Sequence, residues 1–213
     1  VDLARGLGAR VIAAASSPAK RDAIAALYTP DAVIEAAPGF RETVKALTEG
    51  KGADVIVDPV GGDVFDESAR CIAFGGRLLV VGFASGRIPE ISVNIPLIKG
   101  FSVVGVRAGE YGRRFPERGA ENITAIDALA ESGAIRPHVH AVLDLADWRA
   151  GFAMLERREV VGKVVLTPRR AGAAALWPAT AAPRRNWYSF ATIDGSLSRG
   201  VPGALPPIVK DDM

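Results

Sequence analysis

The chain has 213 residues, 49% of them hydrophobic and 23% charged, enough apolar material for one sizeable domain and something beyond it. A formal charge of +2 is too near neutral to point to nucleic acid, and residues 169–213, with six Arg/Lys and three Asp, carry a surplus of +3. Cys71, the only cysteine, excludes an internal disulfide and a multi-cysteine zinc site and fits a reducing cytoplasm, while no apolar run reaches the roughly 18 residues of a membrane span.

Val1 to Gly8 reads as the last turns of a helix, closed by Gly8. No signal peptide is expected in that stretch, since the first ten residues hold Asp2, Arg5 and Arg10. Val1 is not methionine, so the expectation is a chain that starts inside a longer protein. Val11–Ala15 is a short apolar strand, and Ser16, Ser17 and Pro18 cap a helix that runs to about Leu27. A weak strand at Ala32–Ala36 and a helix at Phe40–Thr48 follow, broken by Gly50 and Gly52. Asp54–Val60 is a clear strand ended by Gly61 and Gly62, with Asp63 placed to cap a helix through Ala73.

Gly75 and Gly76 are expected to stop that helix. Leu78–Val81, apolar without alternation, then suits a strand buried on both faces, and Gly82 to Gly86 open a loop at its carboxyl end. Pro96 limits any helix in Ile91–Lys99, and Phe101–Val106 is a further strand. The periodicity predicts helices over Glu117–Ser132 and Asp147–Arg158 and strands at Val139–Leu143 and Lys163–Thr167. Strands alternating with helices imply an α/β fold with a doubly wound parallel sheet over residues 1–168. Ala, Pro and Gly fill 18 of the 45 positions from 169 to 213, which reads as a low-complexity, loosely ordered extension.

Seven stretches, in order and nearly without gaps, carry a resemblance: Leu-Gly-Ala-Arg-Val-Ile (7–12), Ala-Ser-Ser-Pro-Ala-Lys (15–20), Asp-Pro-Val-Gly-Gly (58–62), Gly-Gly-Arg-Leu (75–78), Val-Gly-Phe-Ala-Ser-Gly (81–86), Ser-Val-Val-Gly-Val (102–106) and Gly-Lys-Val-Val-Leu (162–166). Residues 1–168 resemble the nucleotide-binding half of the NADPH:quinone oxidoreductase family, within the medium-chain dehydrogenase/reductase superfamily. The resemblance implies a Rossmann-like sheet, NADPH as cofactor, and a small-molecule quinone or enone as substrate, reduced by hydride transfer without zinc. It implies no nucleic-acid or membrane partner, and a homodimer formed through the Phe101–Val106 edge strand.

The chain departs from that pattern at its start. The family's substrate domain, first strand and glycine-rich phosphate loop have no counterpart here. In the doubly wound order that strand is central. Without it the strands at Val11–Ala15 and Val55–Asp58 lack a common neighbour, and must either leave ladder groups exposed or close up against each other. The expectation is an amino-terminally truncated copy that binds cofactor poorly and is inactive alone. The alternative is a non-catalytic Rossmann-like remnant that folds or dimerises without turnover. A methyltransferase-like domain is disfavoured because no glycine-rich first loop with a following acidic ribose ligand is visible.

Two groups of residues carry the expected cofactor chemistry. Ser16, Ser17 and Lys20 follow the second strand of the family's order, where an NAD-specific fold places a carboxylate; hydroxyls and an ammonium there suit a ribose 2′-phosphate. From spacing alone the ordinary reading wins, a helix cap with a solvated lysine, and it is the resemblance that favours NADPH. Val60 and Gly61, with Gly82, Phe83, Ala84 and Ser85, leave two central strands, and the resemblance places them at the nicotinamide and its ribose. No general acid, base, nucleophile or metal ligand is apparent. His138 and His140 alternate as solvent-facing strand-end residues, Cys71 reads as a small buried residue, Asp58 as a residue that orients the loop, and Arg113, Arg114 and Arg118 as a solvated face.

Overall fold

The computed structural model describes residues 1–168, and the 169–213 extension lies outside the described residues. Its elements run α1 (Asp2–Gly6), β1 (Ile12–Ala15), α2 (Pro18–Tyr28), β2 (Ala32–Glu35), α3 (Phe40–Leu47), β3 (Ala53–Asp58), α4 (Gly62–Cys71), β4 (Ile72–Val80), α5 (Asn94–Lys99), β5 (Ser102–Gly105), α6 (Ala108–Arg114), α7 (Pro116–Glu131), β6 (Val139–Asp144), a 3₁₀ turn (Leu145–Asp147), α8 (Trp148–Glu156) and β7 (Lys163–Thr167). Every strand pairing is parallel, and helices connect the strands, which is the Rossmann-like α/β fold expected.

The strands form three separate sheets, ordered β1-β2, β3-β4-β5 and β6-β7. Within the described residues the expected parallel, Rossmann-like architecture is thus divided, β6 and β7 pairing with each other around α8. That crossover packs closely because Gly151 has no side chain, and a Cβ there would come within 3.3 Å of Leu143 and Val164. β1 and β3 do not pair. Of the two outcomes foreseen for them, open ladder edges are the one observed among the described residues. The two sheets nonetheless share a core: Ile12 and Ile34 from the first and Ala53 and Ile56 from the second pack with Val44, Leu47 and Cys71. A second cluster, Phe65, Ala69, Ile72, Leu78 and Phe101, fixes α4 onto β4.

The open edges predict a hydrogen-exchange pattern. Val11 O and Ala15 O accept from Ala32 N and Ala36 N, so by two-residue alternation Ile12 and Ala14 turn their backbone groups away from β2. Asp58 O accepts from Val81 N, so Val55 and Val57 turn away from β4. Amides of Ile12, Ala14, Val55 and Val57 are expected to exchange at near-unprotected rates, while those of Leu78–Val80, in the central strand, exchange slowly. Slow exchange at all four edge amides would show that these edges are covered.

Three local readings are corrected. Gly75 and Gly76 do not stop a helix: α4 ends at Cys71, with Ile72 already extended, and both glycines lie within β4. The register jumps from Ala53↔Ile72 to Val55↔Arg77, so residues 73–76 bulge out of the ladder, with Gly75 at φ +75° donating its N–H to Gly100 O. Asp63 does not cap α4, whose cap residue is Gly61 without a side-chain hydrogen bond. Leu78–Val81 is buried on one face only. Leu78 is fully buried, but Val81, Val57 and Val103 are exposed among the described residues.

Candidate functional site

Backbone geometry confirms the cap at the end of β1. Ser17 is extended (φ −102°, ψ 145°), its Oγ accepts the Lys20 N–H at 3.3 Å, and Pro18 occupies the first turn of α2. Ser16 is exposed, and the Lys20 ammonium has no ion-pair partner among the described residues. Two residues that the sequence reading missed complete this corner. Arg21 donates from Nη1 to Ala15 O at 3.3 Å and Ser16 O at 3.2 Å, fixing the turn, and stands 3.6 Å from Glu35. Glu35 is the β2 residue in register with Ala15. Neither has a local sequence signal, since an ordinary i, i+4 or loop spacing does not connect residue 21 with residue 35.

The loops after β3 and β4 meet. Asp58, 1% exposed at the end of β3, accepts the N–H groups of Val60 at 2.8 Å and Gly61 at 2.9 Å through Oδ1, as its expected loop-orienting role requires. Its Oδ2 has no partner among the described residues. Ala84 N donates to Pro59 O and Ser85 N to Val60 O, at 3.1 and 2.9 Å, so the two loops run against each other. Gly62 N donates to Arg87 O at 3.1 Å, and Arg87 then reaches back over α4 to pair with Asp63 at 2.9 Å and with Asp66. The hydrogen bonds to Asp66 and Asp63 hold the Arg87 guanidinium above its ordinary range.

Small residues are required along this seam. A Cβ on Gly62, at φ +55°, would sit 2.8 Å from Ser85 Oγ, and one on Gly82 would sit 3.2 Å from Pro59 O. Val60, Gly61, Gly82, Phe83, Ala84 and Ser85 are thus brought together, with Phe83 exposed at the rim. Ser16, Ser17 and Lys20 are at the corner of the other sheet. A cavity of about 420 Å³ lies on that side, at the carboxyl end of β2, lined by Val33, Glu35, Pro38, Gly39, Phe40 and Thr43.

The remaining candidates do not join either group. His138 precedes β6 and donates its N–H to the Tyr28 hydroxyl, and His140 sits at the register shift between Val139 and Ala141, so they do not alternate along one regular strand face. Among the described residues no three His, Cys, Asp or Glu side chains converge as metal ligands would. Cys71 is buried in the shared core and burial pushes its thiol up to about 11, which keeps it neutral and unreactive. Arg113 and Arg114 pair with Glu110, and Arg118 with Glu121, all on exposed helix surface. No described helix is long and apolar enough to cross a membrane.

The turn after β1 thus offers hydroxyl and ammonium donors, and the loops after β3 and β4 offer closely packed glycine backbone. Comparison with known proteins gives the family. The family described as zinc-binding dehydrogenase matches residues 1–129. A curated relative, quinone oxidoreductase-like protein 2 homolog of Nematostella vectensis, is 35% identical over 172 residues, covering 80% of this chain and 47% of that protein. A mycobacterial structure complexed with NADPH superposes with a TM-score of 0.69 at 30% identity, over 78% of this chain and 51% of the other. A quinone oxidoreductase from Pseudomonas syringae pv. Tomato DC3000 gives 0.66 at 26% identity over the same shares. The chain spans about half the length of the curated relatives it matches.

Proposed function

The chain belongs to the zinc-binding dehydrogenase family, among the quinone oxidoreductase-like proteins of the medium-chain dehydrogenase/reductase superfamily, and from that premise we propose that it is the cofactor-binding part of an NADPH-dependent reductase of quinones or related α,β-unsaturated carbonyls. The observation that carries this is that Ser16, Ser17 and, one turn into α2, Lys20, which has no ion-pair partner among the described residues, all sit at the carboxyl end of β1, the edge where open α/β sheets take ligands. Lys20 and the two hydroxyls would hold a ribose 2′-phosphate through charge-assisted hydrogen bonds. Val60, Gly61 and Gly82 to Ser85 would flank the nicotinamide end, where Cβ-free backbone permits close approach.

The bound cofactor supplies the hydride, and the chain's own contribution is to bind, orient and exclude water. Asp58 holds the Val60–Gly61 turn rigid, and the Arg87 pairing with Asp63 and Asp66 ties the Gly82–Arg87 loop to α4. No described side chain is offered as acid or base, and zinc-independent chemistry remains part of the proposal. A homodimer through the free edge of β5 belongs to the same reading. Among the described residues that strand pairs only with β4, and an open strand edge is a natural surface for a second copy. The single cysteine supports a cytoplasmic setting.

Titration of the chain with NADPH, followed by nicotinamide fluorescence, tests the reading. Lys20→Ala is expected to weaken NADPH binding by roughly 1–3 kcal/mol and to spare NADH. Equal loss for both nucleotides would remove Lys20 from the phosphate site. A second reading, a remnant that folds without turnover, is favoured by the open edges of β1 and β3 and by the way the Val60 and Ser85 loops already satisfy each other's backbone. Absence of saturable binding of either nucleotide would select it.

A further inference from the structure

Local sequence places no carboxylate among Ala14, Ala15, Ser16 and Ser17. Tertiary structure places one beside them. β1 and β2 pair with Ala15 opposite Glu35, and adjacent strands lie about 4.8 Å apart, so the Glu35 side chain leaves the sheet next to the turn that carries Ser16 and Ser17. Glu35 is 57% exposed and lines the cavity at the end of β2. Its carboxylate is therefore open to solvent, and Arg21, which meets both Ser16 O and Glu35, ties it to the turn.

Arg21 pairs with Glu35 at 3.6 Å and leaves its side chain 57% exposed. The Arg21 guanidinium is 22% exposed and is committed to Ala15 O, Ser16 O and, at 3.6 Å, the Glu35 carboxylate. Held by two backbone carbonyls, it cannot swing out to follow a ligand without releasing the turn. Two opposed charges remain for the ligand itself: the Lys20 ammonium, which attracts a phosphate, and the Glu35 carboxylate, which repels one and accepts a hydrogen bond from a ribose hydroxyl.

We propose that Glu35 is a specificity-determining residue that sets the chain's preference between a 2′-phosphorylated and an unphosphorylated ribose. The proposal rests on the reading that this corner holds the cofactor's ribose. Discrimination is then a difference of two affinities, with Lys20 favouring the phosphate and Glu35 opposing it.

Fluorescence titrations of the 213-residue chain with NADPH and with NADH, for wild type, Glu35→Gln and Glu35→Asp, read the effect. Glu35→Gln keeps the side chain's size and removes its charge; it is expected to raise the NADPH-over-NADH affinity ratio about five- to tenfold, for a charge a few ångströms away in partly aqueous surroundings. Glu35→Asp retains the charge and should stay within about twofold of wild type, and added salt should shrink the Gln effect. A ratio unmoved by Glu35→Gln, in a chain that binds both nucleotides, overturns the proposal and leaves the nucleotide-binding reading standing. Equal weakening of both nucleotides marks a structural role and also overturns it. Wild type that binds neither nucleotide saturably overturns the nucleotide-binding reading and the proposal with it.

Discussion

Gly52→Ala is expected to remove most of the chain's stability. Gly52 has φ +87°, and a Cβ there would lie 2.5 Å from Cys71 O and 2.9 Å from Ala73 N and Ile72 C. All three are backbone atoms at the junction of α4 and β4, so no rotamer change relieves the contact. The Gly52 N–H is also held at 2.9 Å by Thr48 Oγ1, which itself donates to Val44 O, so the turn cannot easily rotate away. Gly50→Ala is the control: at φ +82° it has the same backbone penalty but no atom within 4 Å. The control should cost about 1–2 kcal/mol, the price of a left-handed alanine. Gly52→Ala should cost roughly 4 kcal/mol or more, a large share of a typical domain's stability. Urea midpoints measure both, and equal shifts for the two variants would show that the close approach does not matter.

Glu67→Ala should be nearly as damaging, for an electrostatic reason. α3 begins at Gly39 without a side-chain cap of its own. The cap comes from α4: Glu67, 8% exposed, accepts the Gly39 N–H at 3.0 Å and the Arg41 N–H at 3.4 Å through Oε2, and the Arg41 guanidinium at 2.6 Å through Oε1. Arg41 is held above its ordinary range by its hydrogen bond to Glu42 and then by the Glu67 charge. Truncation strands two helix N–H donors and half of a largely buried ion pair. Because Arg41 retains 30% exposure, part of that cost is recovered from water. The expected loss is roughly 2–4 kcal/mol, with Glu67→Gln intermediate because one carbonyl oxygen can still accept. Thermal unfolding of the three proteins checks this, and a loss under about 1 kcal/mol for Glu67→Ala would refute the capping role.

Both residues lie away from the candidate site, yet each decides whether that site exists. Glu67 and Gly52 seat α3 and the α4–β4 junction in the core that joins the β1-β2 sheet to the β3-β4-β5 sheet. Lys20, Ser16 and Glu35 are carried by the first sheet, and the Val60 and Ser85 loops by the second. A ligand that touches both groups needs that shared core intact.

Much of this was legible in the chain because it is local. Ser17-Pro18 specified a cap and a first turn, and α2 begins there. Asp58 two and three residues before Val60 and Gly61 specified a loop-orienting carboxylate, and its Oδ1 binds both. Short apolar runs separated by helical periodicity specified parallel α/β pairing. The errors arose where the same local signal has two tertiary outcomes. Gly75-Gly76 is as good a strand bulge as a helix stop, and the choice fell to the close approach of Gly100 O to Gly75 N.

The sequence alone determined the strand and helix types, the family and the candidate cofactor residues, because propensity, capping and motif order act over a few neighbouring residues. Only the tertiary structure decided the division into three sheets, the open edges of β1 and β3, the Glu67 cap on α3, the Arg87 strap over α4, and the Glu35 carboxylate beside Ser16. Each of these joins residues a dozen or more positions apart. Strand register and side-chain reach set such contacts, and neither leaves a mark in a local stretch of sequence.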